Sequence, residues 1–255
     1  MTGTTTPSPR RRERSPAPRR RSAFAAQLVN SAPSGVAPRV LDDLRRAILS
    51  GQEPPGTLIP IDAVAEFFGV SHIPVREALK MLTSEGLVEH VPHIGYSVAK
   101  LTFAEFRELY EVREALEAAA LRAAVLNAST EDDDVVRASH AALTVAAATK
   151  DASAYHEESR RFHMALIAPA GMQRLAHMYE AAWNMTEAVR PMARVAEDDR
   201  LMLCSEHDHL LDAFLARDGD RLAAESAQHF EHLKLALQAF ASEPEVFRPG
   251  HISFP

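Results

Sequence analysis

Between Val64 and Val98 the hydrophobic period switches from helical to alternating, and few folds bury both patterns side by side. Asp62–Phe68 reads as a short helix that breaks at Gly69, where a left-handed residue costs little. Ser71 then caps a second helix, with Pro74 still in its first turn, where a missing N–H is no loss. Val75, Ala78, Leu79 and Leu82 fall at i, i+3, i+4 and i+7 and predict one buried face. His72, Arg76, Lys80 and Thr83 lie along another, spaced for water or phosphate. After Gly86 the period drops to two: Leu87–Val91 and Tyr96–Val98 flank Pro92-His93-Ile94-Gly95, a hairpin with a glycine-containing turn. Two helices at a tight turn followed by a β-ribbon predict a winged helix-turn-helix.

Ahead of this unit, residues 37–51 predict a helix with Val40, Leu41, Leu44, Ile48 and Leu49 inward, and Leu58 to Pro60 a short extended piece. The string Leu44-Arg45…Ile48-Leu49-Ser50-Gly51…Pro55-Gly56…Pro74-Val75-Arg76-Glu77-Ala78-Leu79…Glu85-Gly86-Leu87-Val88…Gly95-Tyr96 resembles the DNA-binding domain of the GntR family of bacterial regulators. That resemblance implies a domain over 38–100 that meets an operator through Ser71, His72, Arg76 and Lys80, with His93 and Gly95 of the wing at the minor groove. His72 and Asp62 stand where arginine is usual in the FadR branch of the family, so two guanine-reading positions are missing and an unlike operator is expected.

The formal net charge of −7 is unevenly spread. Residues 1–37 hold seven arginines, Arg10 to Arg21, against Glu13, whereas residues 38–100 hold six basic and eight acidic residues. The expected DNA-binding unit is therefore not basic by itself, and phosphate neutralisation supplies most non-specific affinity. Residues 1–37, rich in Arg, Pro, Ser and Ala, read as a disordered tail that either lies on phosphates or is idle. A single cysteine, Cys204, excludes an internal disulfide and fits a reducing cytoplasm, in the nucleoid for a DNA-binding chain. No apolar run suits a secretory signal or a membrane span.

From Thr102 onward every pattern is helical, so the fold is expected to be mainly α, with an antiparallel bundle of about six helices over 101–241 and an irregular tail over 242–255. Thr102 with Glu105 forms a capping box. The helices read 103–127, 129–150, 151–167, 172–189, 195–216 and 220–241, the last two joined by Arg217-Asp218-Gly219. Leu109-Tyr110-Glu111-Val112-Arg113…Leu116-Glu117, Phe162-His163…Leu166 and Glu206-His207…His229 resemble the FCD domain, the ligand-binding bundle of the FadR branch, and six helices point to its VanR-like subgroup. The resemblance implies a homodimer on a palindromic operator, repressing or activating in response to a small organic acid.

His207 and His229 lie eleven residues either side of Asp218, which places them level across a helical hairpin. Their spacing, and His163 after Phe162, match the metal histidines of the FCD domain. That implies a divalent-metal site, with zinc or nickel suited to imidazole. The fourth ligand of that motif is an Asp four residues before the first histidine; here it is Ser159. The position is expected to accept water or an effector carboxylate, with Arg113 as a second clamp. Two other readings are a metal-dependent hydrolase, for which no general-base motif is present, and a DNA-binding dimer insensitive to any ligand.

Overall fold

The computed structural model describes Phe24, Leu28 and residues 36–250. The first unit runs α1 (Val36–Leu49), β1 (Leu58–Ile59), α2 (Ile61–Phe68), α3 (His72–Ser84), β2 (Val88–Val91) and β3 (Gly95–Val98). The extended piece at Leu58 becomes the third strand of an antiparallel sheet ordered β1-β3-β2, with Leu58 opposite Ser97 and Val88 opposite Val98. Gly69 ends α2 at φ 65°, its N–H reaching the Ala65 and Glu66 carbonyls. Ser71 occupies the N-cap of α3, but its side chain makes no capping hydrogen bond. Val75, Ala78, Leu79 and Leu82 are all buried, and the fork of Arg45 grips Glu85 at 2.6 and 2.9 Å, tying α1 to the end of α3.

Segment 1–37 was expected to be a disordered tail throughout. Phe24 and Leu28 correct this: both are buried in the core that α1, α3 and the sheet share. Two apolar residues without periodicity left no pattern to read. The arginine block lies outside the described residues.

The second unit contains α4 (Phe103–Asn127), α5 (Thr130–Ala148), α6 (Ala152–Ile167), α7 (Gln173–Asn184), a four-residue α8 (Pro191–Arg194), α9 (Glu197–Leu215) and α10 (Gly219–Leu237). Six long helices form the bundle, with α4 against α6, α7 and α10, and with α5–α6 and α9–α10 packed as pairs. Both the Thr102–Glu105 and Ser129–Asp132 capping boxes form. The helix expected over 172–189 stops at Asn184 and gives way to a 3₁₀ turn, Glu187–Val189, before Pro191. Pro191 has no N–H to continue a helix, and the Thr186 hydroxyl already donates to the Trp183 carbonyl at 2.8 Å.

The tail beyond Ala241 is irregular but not loose. Val246 and Phe247 are buried beside Phe103, Phe106 and Phe240, and the Arg248 N–H donates to the Leu101 carbonyl at 2.9 Å. Among the described residues no helix is long and apolar enough to cross a membrane.

Candidate functional site

Two places carry chemistry. The first is the outer face of α3, where Ser71, His72, Arg76 and Lys80 are exposed together. The His72 ring lies 3.2 Å from Asp62 across the turn. Arg76 and Lys80 make no ion pair among the described residues, which leaves two cations for an outside partner. His93, at φ 66° in the wing turn, is exposed, and Gly95 follows at φ 120°. The turn presents His93 and the exposed Ile94 to solvent.

The second is a narrow pocket between the helices of the bundle. Helical spacing aims its walls: His156, Ser159 and His163 stand at i, i+3 and i+7 on α6, and Tyr110 and Arg113 at i and i+3 on α4. His207 comes from α9, His229 from α10, Trp183 from α7, and Pro191 and Met192 from α8. The nitrogen donors of His163, His207 and His229 all lie within 4.8 Å of one another, with the Nε2 atoms of His163 and His207 3.3 Å apart. Each ring is 1% exposed.

Carboxylates behind the rings set their direction. His163 Nδ1 lies 2.9 Å from Glu117 Oε2, and the same carboxylate accepts from the hydroxyls of Tyr179 and Ser226. His229 Nδ1 lies 2.9 Å from Glu206, which also holds His232. With Nδ1 as donor, each Nε2 keeps its lone pair for the cavity. His207 Nδ1 has no hydrogen bond of good geometry. Burial, then the neighbouring His229 and His163, hold His207 well below the ordinary imidazole pKa. Burial also lowers His229, against the pull of Glu206. Neutral rings are the form a metal requires. Burial alone would raise the Glu117 carboxyl, but the adjacent His163 and three hydrogen bonds outweigh it and bring it down to about 2.

Three converging imidazoles, two of them backed by carboxylates, fit a divalent ion. Ser159 lines the same cavity as a neutral hydroxyl. Glu158 does not replace the missing acid, since Arg161 engages it at 2.7 Å. No acidic side chain lines the cavity among the described residues. Arg113, 2% exposed, stacks with its guanidinium carbon 3.4 Å from the Trp183 ring centre and 4.5 Å from that of Tyr110. It makes no ion pair among the described residues, and its Nε has no hydrogen-bond partner. A buried cation without a counter-charge is costly unless an anion joins it.

The sequence reading passed over His156, which is buried with Nε2 2.7 Å from Glu187. Its i, i+3, i+7 spacing with Ser159 and His163 was the available signal. His232, on the same helix as His229, shares Glu206 with it.

Residues 37–98 match the family model described as bacterial regulatory proteins, gntR family, and residues 108–232 match the FCD domain. A protein of Paenarthrobacter nicotinovorans named a probable D-xylose utilization operon transcriptional repressor is 31% identical, over 81% of this chain and 89% of its own. The HTH-type transcriptional repressor RspR of Escherichia coli is 28% identical, over 78% of this chain and 88% of its own. The solved structure of E. coli McbR/YncC superposes with a TM-score of 0.70 at 22% identity, covering 81% of this chain and 98% of that one, and shows the same fold. The chain is a member of the GntR family of bacterial transcription regulators, and its second half is an FCD domain.

Proposed function

We propose that this regulator is a homodimeric repressor whose hold on a pseudo-palindromic operator changes when a small organic acid, together with a divalent metal, occupies the bundle cavity. The observation that carries the reading is Arg113. Among the described residues it is a buried guanidinium with no ion pair, in a cavity that none of them lines with an acid and that three convergent imidazoles share. Residues 38–100 read DNA, with α3 in the major groove through Ser71, His72, Arg76 and Lys80 and the wing tip at His93 and Gly95 on the minor groove. Residues 101–241 sense the ligand and dimerise. The names of the relatives favour repression, and a DNA partner supports a cytoplasmic, nucleoid-associated protein.

His163, His207 and His229 would hold the metal, zinc or nickel by donor type. When bound, that ion supplies a Lewis-acidic centre for a carboxylate oxygen. The chain does the rest: Glu117 and Glu206 hold the imidazole tautomers, Arg113 takes the carboxylate as a fork, and Ser159 leaves a coordination position for the acid to fill. Metal and acid then bind cooperatively. Calorimetry with Zn²⁺ and Ni²⁺ tests this, with and without a panel of small acids. Metal should bind tighter with the right acid, and Ser159→Asp should tighten metal binding without any acid. Absence of divalent-metal uptake in either form, together with an operator response that survives His207→Ala, would remove the metal from the account.

A further inference from the structure

The stretch from Met185 to Met192 touches the cavity on one side and the DNA-binding unit on the other. Toward the cavity, Pro191 and Met192 are wall residues, and Glu187 accepts from the cavity residue His156 at 2.7 Å and from Arg160 at 2.9 Å. Toward the DNA-binding unit there are three contacts. Met185 lies over Gly86, where an added Cβ would be 2.8 Å from the Met185 sulfur. Ala188 packs on the core that buries α1 and α3. Arg190 crosses at Gly51, where an added Cβ would sit 2.6 Å from the Arg190 Cγ, and its Nη1 donates to the Ser50 carbonyl at 2.7 Å.

Arg190 is itself unusual. It stands at φ 49°, ψ 59°, closing the 3₁₀ turn with its N–H on the Glu187 carbonyl, and its side chain is fixed from two sides. What holds it is the Ser50 carbonyl just beyond α1 and the Ser153 hydroxyl on α6, the helix that carries His156 and His163. α1 in turn packs on α3, the helix with the exposed cations. Two further polar contacts between the halves, Lys100 with the Pro244 carbonyl and Arg248 with Glu89, do not involve cavity residues.

We propose that residues 185–192 are the element through which cavity occupancy and DNA binding sense one another, with Arg190 carrying the contact to Ser50. This rests on the reading of the cavity as an effector site. A ligand that draws on His156, Trp183 or Met192 shifts the two ends of this stretch. Between those ends, Glu187 and Arg190 leave little slack before the end of α1. The coupling is reciprocal by linkage, so DNA on α3 must also disturb the cavity.

That reciprocity gives a test needing no effector. Trp183 is the chain's single tryptophan and lies in the cavity wall under Arg113. The full-length protein is titrated with an operator duplex selected from random DNA, with emission excited selectively at Trp183. Wild type should change its emission on saturation. Arg190→Ala should lose most of that change while keeping operator affinity within about twofold, because Arg190 does not face DNA. Arg190→Gly, which suits the left-handed backbone, should behave the same and guards against misfolding of the first variant. An unchanged Trp183 signal in wild type, or an equal signal in wild type and both variants, overturns the proposal. Zn²⁺ calorimetry on the same proteins separates the two readings. An Arg190-dependent signal without Zn²⁺ uptake sinks the metal site and supports the coupling. Uptake of Zn²⁺ with no DNA-linked signal sinks the coupling alone.

Discussion

Glu117 Oε2 lies 2.9 Å from His163 Nδ1, and solvent reaches neither side chain. The carboxylate sits on α4 and the ring on α6, so the contact fixes both the spacing of two helices and the lone pair that faces the cavity. Tyr179 extends it: its hydroxyl meets Glu117 and also neighbours Arg113. Tyr179 thus stands between the proposed anion clamp and the carboxylate behind a proposed metal ligand. Glu117→Gln should weaken Zn²⁺ binding by about 10–100-fold, the usual effect of removing such a partner. Glu117→Ala should also destabilise the fold by about 3–5 kcal/mol, because it strands buried donors. Calorimetry and denaturant titration check the two effects. Zn²⁺ affinity unchanged in Glu117→Gln would show that the carboxylate is only structural.

Phe24 and Leu28 separate the charge of the N-terminal segment from its packing. Removing residues 1–22 deletes all seven arginines and spares both apolar anchors. This truncation should reduce the slope of log K against log salt for DNA binding and leave stability alone. Removing residues 1–37 should in addition cost about 1.5–3 kcal/mol for each buried anchor lost. Equal stability of the two truncations would contradict the burial of Phe24 and Leu28. A salt slope unaffected by either would make the arm idle.

Glu187 sets an acid limit on the junction. Burial raises its pKa, but hydrogen bonds and charge from His156 and Arg160 pull harder, so it lies below the ordinary value of 4.5. A carboxyl depressed in the folded state gives stability that is present above its unfolded pKa and lost as pH falls through the folded one. Glu187→Gln should therefore be less stable than wild type at pH 7, by about 1–3 kcal/mol. The gap should close as pH falls below 4.5. Denaturant titrations at pH 7 and pH 3.5 measure it, and a gap that does not narrow would place the stabilisation elsewhere.

Much of this was legible because a single period fixed it. The face Val75, Ala78, Leu79, Leu82 needed only helical spacing, and Gly69 and Ser71 marked the turn beside it. His207 and His229 could be paired because a turn midway between them makes register arithmetic. What escaped were contacts with no period to announce them. His156 and Glu187 meet across a helix, a turn and an irregular stretch. Val246 and Phe247 are two apolar residues in a polar tail, just as Phe24 and Leu28 are two among arginines and prolines. The early end of α7 depended on Thr186 competing for a carbonyl, which helical periodicity does not register.

Arg76 is the residue on α3 with most at stake, since it has no carboxylate partner among the described residues whereas Asp62 lies beside His72. Arg76→Ala should reduce specific operator binding by about 1–3 kcal/mol and relax preference at one base pair in each half-site. Lys80→Ala should weaken all duplexes alike and lower the salt slope. Anisotropy titrations with the selected operator and with scrambled DNA distinguish the two patterns. Undiminished operator affinity in Arg76→Ala would remove it from the reading face.

The central claim is that an anion held by Arg113 in the histidine-lined cavity changes the grip of α3 on DNA. Its most direct test is operator affinity of the full-length protein, with Zn²⁺ and each of a panel of small organic acids, for wild type, Arg113→Ala and His207→Ala. At least one acid should shift wild-type affinity by roughly fivefold or more, the lower end of ordinary allosteric coupling, and neither variant should respond. An affinity that no acid moves, or a response that both variants retain in full, would contradict the account.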